Sequence, residues 1–299
     1  MAKSTVPFLN PAYLRSVRGL ELAARQAVTN LLAGGHWSKR TGAGLEFSNY
    51  RSYQAGDDLR MLDWKLYARS DRFFIREAEQ EKRLNLHFVL DASASMLHED
   101  QDMQKIDYAR FLIATFAWLA LQQGDAMSLH SINAKQLLHL GPKPGRRFFQ
   151  RLLHQLVQID CKGTFPKEAS IQTFHFDRSE KALLIFITDL YEHEAELQRI
   201  IQELQRTKSE LLLFHLMGEN ELELSYKKKV SLEDLETGER VQLGNAKMQA
   251  AYKAQLAARL EHFKKIYTAQ HAHYALINMA QSPGETLRYY LKTRQKLLK

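Results

Sequence analysis

Apolar residues recur at helical spacing between positions 11 and 33, through Leu14, Val17, Leu20, Leu22, Ala23, Val28 and Leu31, and predict an amphipathic helix. Gly34 and Gly35 supply its stop. His36 to Gly44 is glycine-rich and polar. Leu45 to Tyr53 alternates enough for a strand, and Ala55-Gly56-Asp57-Asp58 reads as a turn. Asp57 or Asp58 is placed to cap a short helix over Leu59 to Arg69, and Arg72 to Glu79 reads as a second strand.

From Leu84 the pattern changes. Leu84 to Asp91 is an apolar strand ending in an acid, and Ile106 to Gln123 is an apolar helix stopped by Gly124. Strands over Ala126 to Ile132 and Gln136 to Leu140 follow, then a helix opened by Pro144-Gly145 and running to Ile159. Ala182 to Thr188 is almost continuously apolar, as expected of a central strand covered on both faces. A helix over Glu194 to Thr207 leads to a buried strand over Leu211 to Leu216. Residues 221–243 read as a hairpin insertion turning at Thr237-Gly238. A long amphipathic helix over Lys247 to Gln270, a strand over His273 to Asn278 and a helix from Pro283 to Lys299 close the chain. Strands alternating with helices of this length imply an α/β fold, with a mostly parallel sheet and helices on both faces.

The expected division is residues 1–83, an N-terminal helix with a small β-containing segment, docked on a main domain of residues 84–299. Residues 36–80 are rich in charge and hold few large apolar side chains, so Phe47, Trp64, Phe73 and Phe74 are expected to bury, with Trp64 as a core anchor. Arg51, Arg60, Arg69 and Arg76 are expected to pair with Glu46, Asp57, Asp63 and Glu77.

Composition narrows the field. With 299 residues, 45% hydrophobic and 25% charged, the chain has ordinary globular proportions. Its single cysteine, Cys161, excludes an intrachain disulfide and a cysteine-rich zinc site, and fits a reducing compartment. No apolar signal core opens the sequence, and the longest apolar stretch, Phe111 to Leu121, is far short of the roughly 20 residues that span a bilayer. A cytoplasmic location is expected. The net charge of +8 permits an acidic partner, yet the basic residues are scattered without interleaved aromatics, so charge alone selects none.

Ligands of open α/β sheets sit beyond the carboxyl ends of the strands. There the sequence places Asp91-Ala92-Ser93-Ala94-Ser95, then Lys162-Gly163-Thr164, then Asp189. In a loop leaving a strand, the i, i+2, i+4 spacing lets one carboxylate and two hydroxyls turn to one point. Thr164 adds a hydroxyl and Asp189 a carboxylate. Hard oxygens without nitrogen or sulfur select Mg²⁺, Mn²⁺ or Ca²⁺. Two carboxylates balance a dication, but neutral hydroxyls hold it weakly and leave room for an acidic group from outside.

This set resembles the metal-ion-dependent adhesion site of von Willebrand A domains, in which Asp and two Ser come from the first loop, Thr from the second and Asp from the third. Asp91, Ser93, Ser95, Thr164 and Asp189 match all five positions. Residues upstream extend the likeness: His36-x-Ser38, Gly42-x-Gly44-x-Glu46-Phe47, Arg51-x-Tyr53, Gly56-Asp57-Asp58-x-Arg60, Asp63-Trp64-Lys65, Ala68-Arg69 and Arg76-Glu77. Together with the segment Glu233 to Glu239, they are similar to the signature of the bacterial domain-of-unknown-function 58 family. The resemblance implies a von Willebrand A-like fold, Mg²⁺ (or Mn²⁺) as cofactor, and a partner that offers the metal a Glu or Asp. Members of that family often lie beside MoxR-type AAA+ ATPases, which implies such a partner in a chaperone-like or maturation system.

Two rival functions are weighed against this non-catalytic reading. A metal-dependent hydrolase or phosphatase with Asp91 as nucleophile needs a second acid two residues on, and that position is Ser93. A basic nucleic-acid binder is prompted only by the net charge.

Overall fold

The computed structural model describes residues 11–33, 47–54, 56–59, 62–78, 84–133, 137–164, 182–191, 194–205, 209–223, 231–233, 240–242 and 246–297. The chain divides into a larger unit, residues 1–35 and 84–299, and a smaller one, residues 36–83. The N-terminal helix thus groups with the larger unit rather than with the segment that follows it.

In the smaller unit, β1 (Phe47–Ser52) and β2 (Phe74–Ala78) form an antiparallel pair around the short helix α3 (Trp64–Ser70). Neither Asp57 nor Asp58 caps this helix. Asp63 does, accepting the backbone N–H groups of Lys65 and Leu66 at 2.9 and 3.1 Å, while Asp57 accepts the Gln54 N–H and closes the turn. The later cap puts Trp64 in the first helical position, facing out. Trp64 is 61% exposed and Phe73 46%, so neither is the expected core anchor. Instead Tyr67 stacks on Phe73 with centroids 4.4 Å apart, and Trp64 meets Tyr67 edge-on. Leu62 and Ile75 are the buried apolar residues among those described here. By sequence, residues 36–83 hold few large apolar side chains, too few to stabilise a segment of this size alone. Residues 36–83 expressed alone should therefore show no cooperative thermal unfolding by circular dichroism. A sharp transition would show that this reading of its core is wrong. Gly34, Gly35, the 36–46 part of the signature, Glu46, Arg60 and the Thr237-Gly238 turn lie outside the described residues.

In the larger unit a six-stranded sheet runs in the order β12 (Ala272–Asn278), β9 (Glu210–Met217), β8 (Ala182–Thr188), β3 (Asn85–Asp91), β6 (Ala126–Ile132), β7 (Leu137–Pro144). Neighbours pair in parallel except β7, which returns antiparallel along β6. Every residue of β3, β6 and β8 is buried, which explains the almost continuous apolar run of β8, while β3 and β6 also bury polar residues such as His87, Ser128 and His130.

Alternate side chains feed two cores. Phe88, Leu90, Leu129, Ile185, Ile187 and Phe214 face α2 (Val17–Ala33), α4 (Lys105–Gln123), α5 (Arg146–Gln158) and α9 (Pro283–Leu297). Val89, Leu184, Phe186 and Leu213 face α6 (Glu194–Gln205) and α8 (Ala246–Ala269). Helix α4 lacks a polar face because it is covered twice, by the sheet beneath and by α2, α5 and α9 above. Gly124, at φ 75°, ends it. The helix expected over residues 11–33 is broken into a single turn, α1 (Pro11–Leu14), and α2, which buries Leu20, Ala23, Ala24, Val28 and Leu31, the stripe that ties it to the main body.

Two small elements escape the sequence pattern. A 3₁₀ turn over Ala94–Leu97 leads into a tiny hairpin, β4 (Glu99–Asp100) with β5 (Met103–Gln104). After β9 the chain forms a short helix, α7 (Glu219–Glu223), where the insertion was expected to begin. Asp100 accepts the Glu219 and Asn220 N–H groups at the start of α7, and the helix wins there because its free amides are satisfied. Among the described residues, the insertion contributes β10 (Ser231–Glu233) paired antiparallel with β11 (Arg240–Gln242). The described helices include none long and apolar enough to cross a membrane.

Candidate metal centre

Parallel pairing of β3 with β8 sets Leu90 opposite Ile187, so Asp91 and Thr188 end adjacent strands side by side. The Thr188 hydroxyl donates to Asp91 Oδ2 at 2.7 Å, and the Ser93 N–H donates to Oδ1 at 2.9 Å. Ser93 Oγ lies 2.9 Å from Ser95 Oγ, and the Ser95 hydroxyl donates to Asp189 Oδ1 at 3.1 Å. Asp91, Ser93, Ser95 and Asp189 are all buried. The spacing rule at the strand ends thus brings four of the five expected residues together.

Thr164 belongs to the neighbouring loop. Two backbone bonds dock that loop on the first one, Lys162 N–H to the Ala92 carbonyl at 3.1 Å and Ala94 N–H to the Gly163 carbonyl at 2.8 Å. Gly163 makes the turn at φ 70°, where a side chain would be strained. Thr164 is exposed, unlike the four buried residues of the cluster. Arg110 anchors the approach from beneath. Its guanidinium, itself buried, donates to the Leu156 and Ile159 carbonyls at the end of α5 and to Asp107.

Charge is uneven across the cluster. Burial, and then the neighbouring Asp189 charge, push Asp91 above the usual carboxylate range. Burial works against ionisation of Asp189 too, but the Lys105 ammonium outweighs it and holds this carboxyl below that range. Lys105 Nζ sits 3.0 Å from Asp189 Oδ2 and 2.9 Å from Glu221 Oε1. Sequence reasoning missed both Lys105 and Glu221. The same strand-end rule that found Asp189 points to the residues after β9, where Glu221 lies. Lys105 had a weaker signal, a lone charge opening an apolar helix. Cys161, beside this cluster, is buried and its thiol is pushed up to about 12, as befits an inert packing residue.

The donor set fits a small hard dication. Oxygens 2.0–2.1 Å from Mg²⁺ at right angles stand about 2.9 Å apart. Ser93 Oγ, Ser95 Oγ and Asp189 Oδ1 form a run at 2.9 and 3.1 Å, the spacing of adjacent corners of such an octahedron. Among the described residues no group of three or more His, Cys, Asp or Glu could hold a metal, so any ion here depends on hydroxyls. Two exposed apolar side chains, Leu97 and Tyr191, flank the cluster in sequence, two residues beyond Ser95 and Asp189. Between Asp189 and Tyr191, Leu190 takes a left-handed backbone at φ 51°, unusual for a branched residue and typical of functional sites.

Sheet, helices and strand-end cluster together make this an α/β protein of the von Willebrand A-like class expected from the sequence. The chain belongs to the family described as protein of unknown function DUF58, which matches residues 49–262. It is 27% identical over 158 residues to the uncharacterized proteins Rv1480 of Mycobacterium tuberculosis H37Rv and Mb1516 of Mycobacterium bovis. Those matches cover 53% of this chain and 48% of theirs, so the chain spans about half the length of the curated relatives it matches. In structure it is similar to BatB from Bacteroides thetaiotaomicron, with a TM-score of 0.45, 13% identity, and coverage of 71% of this chain and 99% of that one. It is also similar to the SpRpn10 VWA domain, with a TM-score of 0.42, 10% identity, and coverage of 69% and 94%.

Proposed function

We propose that this chain is a non-catalytic interaction module that holds Mg²⁺ or Mn²⁺ at its strand ends and presents it to an acidic residue of a protein partner. The observation that carries this reading is the convergence at the strand ends of four buried oxygen-bearing residues, Asp91, Ser93, Ser95 and Asp189, with Ser93, Ser95 and Asp189 linked in a run at 2.9 and 3.1 Å. Ser93, Ser95 and Asp189 would bind the ion. Asp91 would supply the second negative charge from beneath, and Thr164 a hydroxyl from the neighbouring loop. When bound, the ion supplies a Lewis-acidic position for a carboxylate oxygen. A partner carboxylate there meets a cation where little water screens the pair. Leu97 and Tyr191 offer apolar contact beside it.

On this reading the site would bind rather than catalyse. A phosphatase built on Asp91 needs a proton donor two positions on, and there the Ser93 hydroxyl is occupied with Ser95. By family resemblance, the partner we favour is a MoxR-type AAA+ ATPase. The test is an affinity series between the full chain and such an ATPase. Binding should be present in Mg²⁺, lost in EDTA and weakened about tenfold or more by Thr164→Ala. Thr164 is exposed, so this change should move stability by no more than about 0.5 kcal/mol. Equal affinity in Mg²⁺ and EDTA would sink the metal-dependent reading.

A further inference from the structure

Lys105 is 3% exposed, and its ammonium lies between carboxylates of two different loops. A buried ammonium is tolerated only when well paired. Burial opposes its charge, yet Asp189 and Glu221 outweigh that and hold it above the ordinary lysine value. The pairing divides the oxygens of each acid. Asp189 gives Oδ2 to Lys105, while its Oδ1 accepts the Ser95 hydroxyl at 3.1 Å and the Tyr191 N–H at 3.3 Å. Glu221 gives Oε1 to Lys105 and accepts the Gly218 N–H at Oε2, at 2.7 Å.

Glu221 belongs to a tightly laced rim. Asp100 of the β4–β5 hairpin accepts the Glu219 N–H at 2.6 Å, Asn220 Nδ2 donates to the Glu99 carbonyl at 3.0 Å, and Gln101 donates to Glu219 at 2.8 Å. Gly218 admits no side chain, because a Cβ would stand 2.5 Å from Asn220 Oδ1 and 2.9 Å from the Asp100 Cβ. The hairpin and α7 are therefore bonded to one another at several points, and Lys105 links α7 to Asp189.

We propose that Lys105 is a positioning residue that turns Asp189 Oδ1 toward the serine cluster and couples occupancy of that cluster to the rim through Glu221. This rests on the metal-binding reading above. When Asp189 Oδ1 is engaged by a dication, the carboxylate holds the Lys105 ammonium less tightly, and Lys105 shifts its share of bonding to Glu221. The Gly218–Glu223 turn then tightens. Occupancy is thereby felt on the surface around the site, where a partner would rest.

The test uses the full chain and Mn²⁺ as probe, with two readouts, Mn²⁺ affinity by electron paramagnetic resonance and amide hydrogen exchange over residues 98–104 and 218–223. In the wild type, Mn²⁺ should slow exchange in both segments about threefold or more. Glu221→Gln should bind Mn²⁺ within about threefold of wild type but lose the response in 218–223. Lys105→Met should bind Mn²⁺ at least tenfold more weakly, because Asp189 Oδ2 loses its partner and only the Ser95 and Tyr191 bonds to Oδ1 still orient the carboxylate. If Lys105 acted only as a like charge, Lys105→Met would bind more tightly, and that result overturns the positioning role. A wild type that binds Mn²⁺ without any exchange response overturns the coupling alone, as does a full response in Glu221→Gln. A wild type that binds no Mn²⁺ overturns both this inference and the metal-binding reading.

Discussion

Asp91→Asn should stabilise the metal-free protein while abolishing its stabilisation by Mg²⁺. Asp91 is fully buried, and burial together with the Asp189 charge disfavours its ionised form. Asparagine keeps an acceptor for the Ser93 N–H and loses the charge. Near pH 8, without metal, the variant should gain about 1–2 kcal/mol. The wild type should gain about 2.7 kcal/mol when Mg²⁺ exceeds its dissociation constant a hundredfold, and the variant nothing. Urea unfolding with and without Mg²⁺ checks both signs. An Asp91→Asn protein that still gains stability from Mg²⁺ would remove Asp91 from the metal centre. One that is plainly less stable without metal would instead make it a structural residue.

The second large effect is loss of stability in mild acid. His87 is buried on β3, with Nδ1 2.6 Å from Ser128 Oγ, and that oxygen is 3.0 Å from His130 Nε2 on β6. His130 Nδ1 in turn lies 3.0 Å from His139 Nδ1 on β7. Burial, then the charge of His139, lowers His87 to about 4, and burial lowers His130 as well. His215 on β9 is lowered to about 3 by burial and then by Lys105. Folding thus favours the neutral rings. Their contribution is complete above the unfolded value of about 6.5 and is lost as pH falls from there through about 4. His87 alone accounts for up to about 3 kcal/mol over that window. Asp91 acts in the opposite direction, since its raised value makes its contribution greatest in acid and smaller toward neutrality. The cleanest measurement is therefore made in Asp91→Asn, following urea midpoints between pH 7 and pH 4.5. His87→Gln should flatten the decline. A decline of equal slope with and without His87 would show that the ring does not carry the effect.

The division between what sequence revealed and what it hid follows the range of the interactions. Element type was legible wherever one face or two faces met the core. The unbroken apolar run of Ala182 to Thr188 marked a strand buried on both sides, and the 11–33 stripe marked a helix. Chain ends of strands then pointed to Asp91 and Asp189, because a parallel sheet collects such ends at one edge. Caps and small turns were less legible. Asp57, Asp58 and Asp63 are equally good caps by composition, and only the pairing of β1 with β2 decided that the helix starts at Trp64 and turns it outward.

Sequence by itself determined the larger elements, the α/β architecture and the residue types that could meet a hard cation, because periodicity and the chemistry of a side chain are local properties. Tertiary structure decided the rest. It linked Ser93, Ser95 and Asp189 by hydrogen bonds, left Thr164 exposed, and placed the N-terminal helix on the main body. It also brought Lys105 to Asp189 and Glu221, 84 and 116 residues away along the chain. An ion pair of that kind depends on a lysine stem threading the core from the start of α4 to the ends of β8 and β9. No spacing rule within one segment encodes it, since it arises only when separate strands are laid side by side.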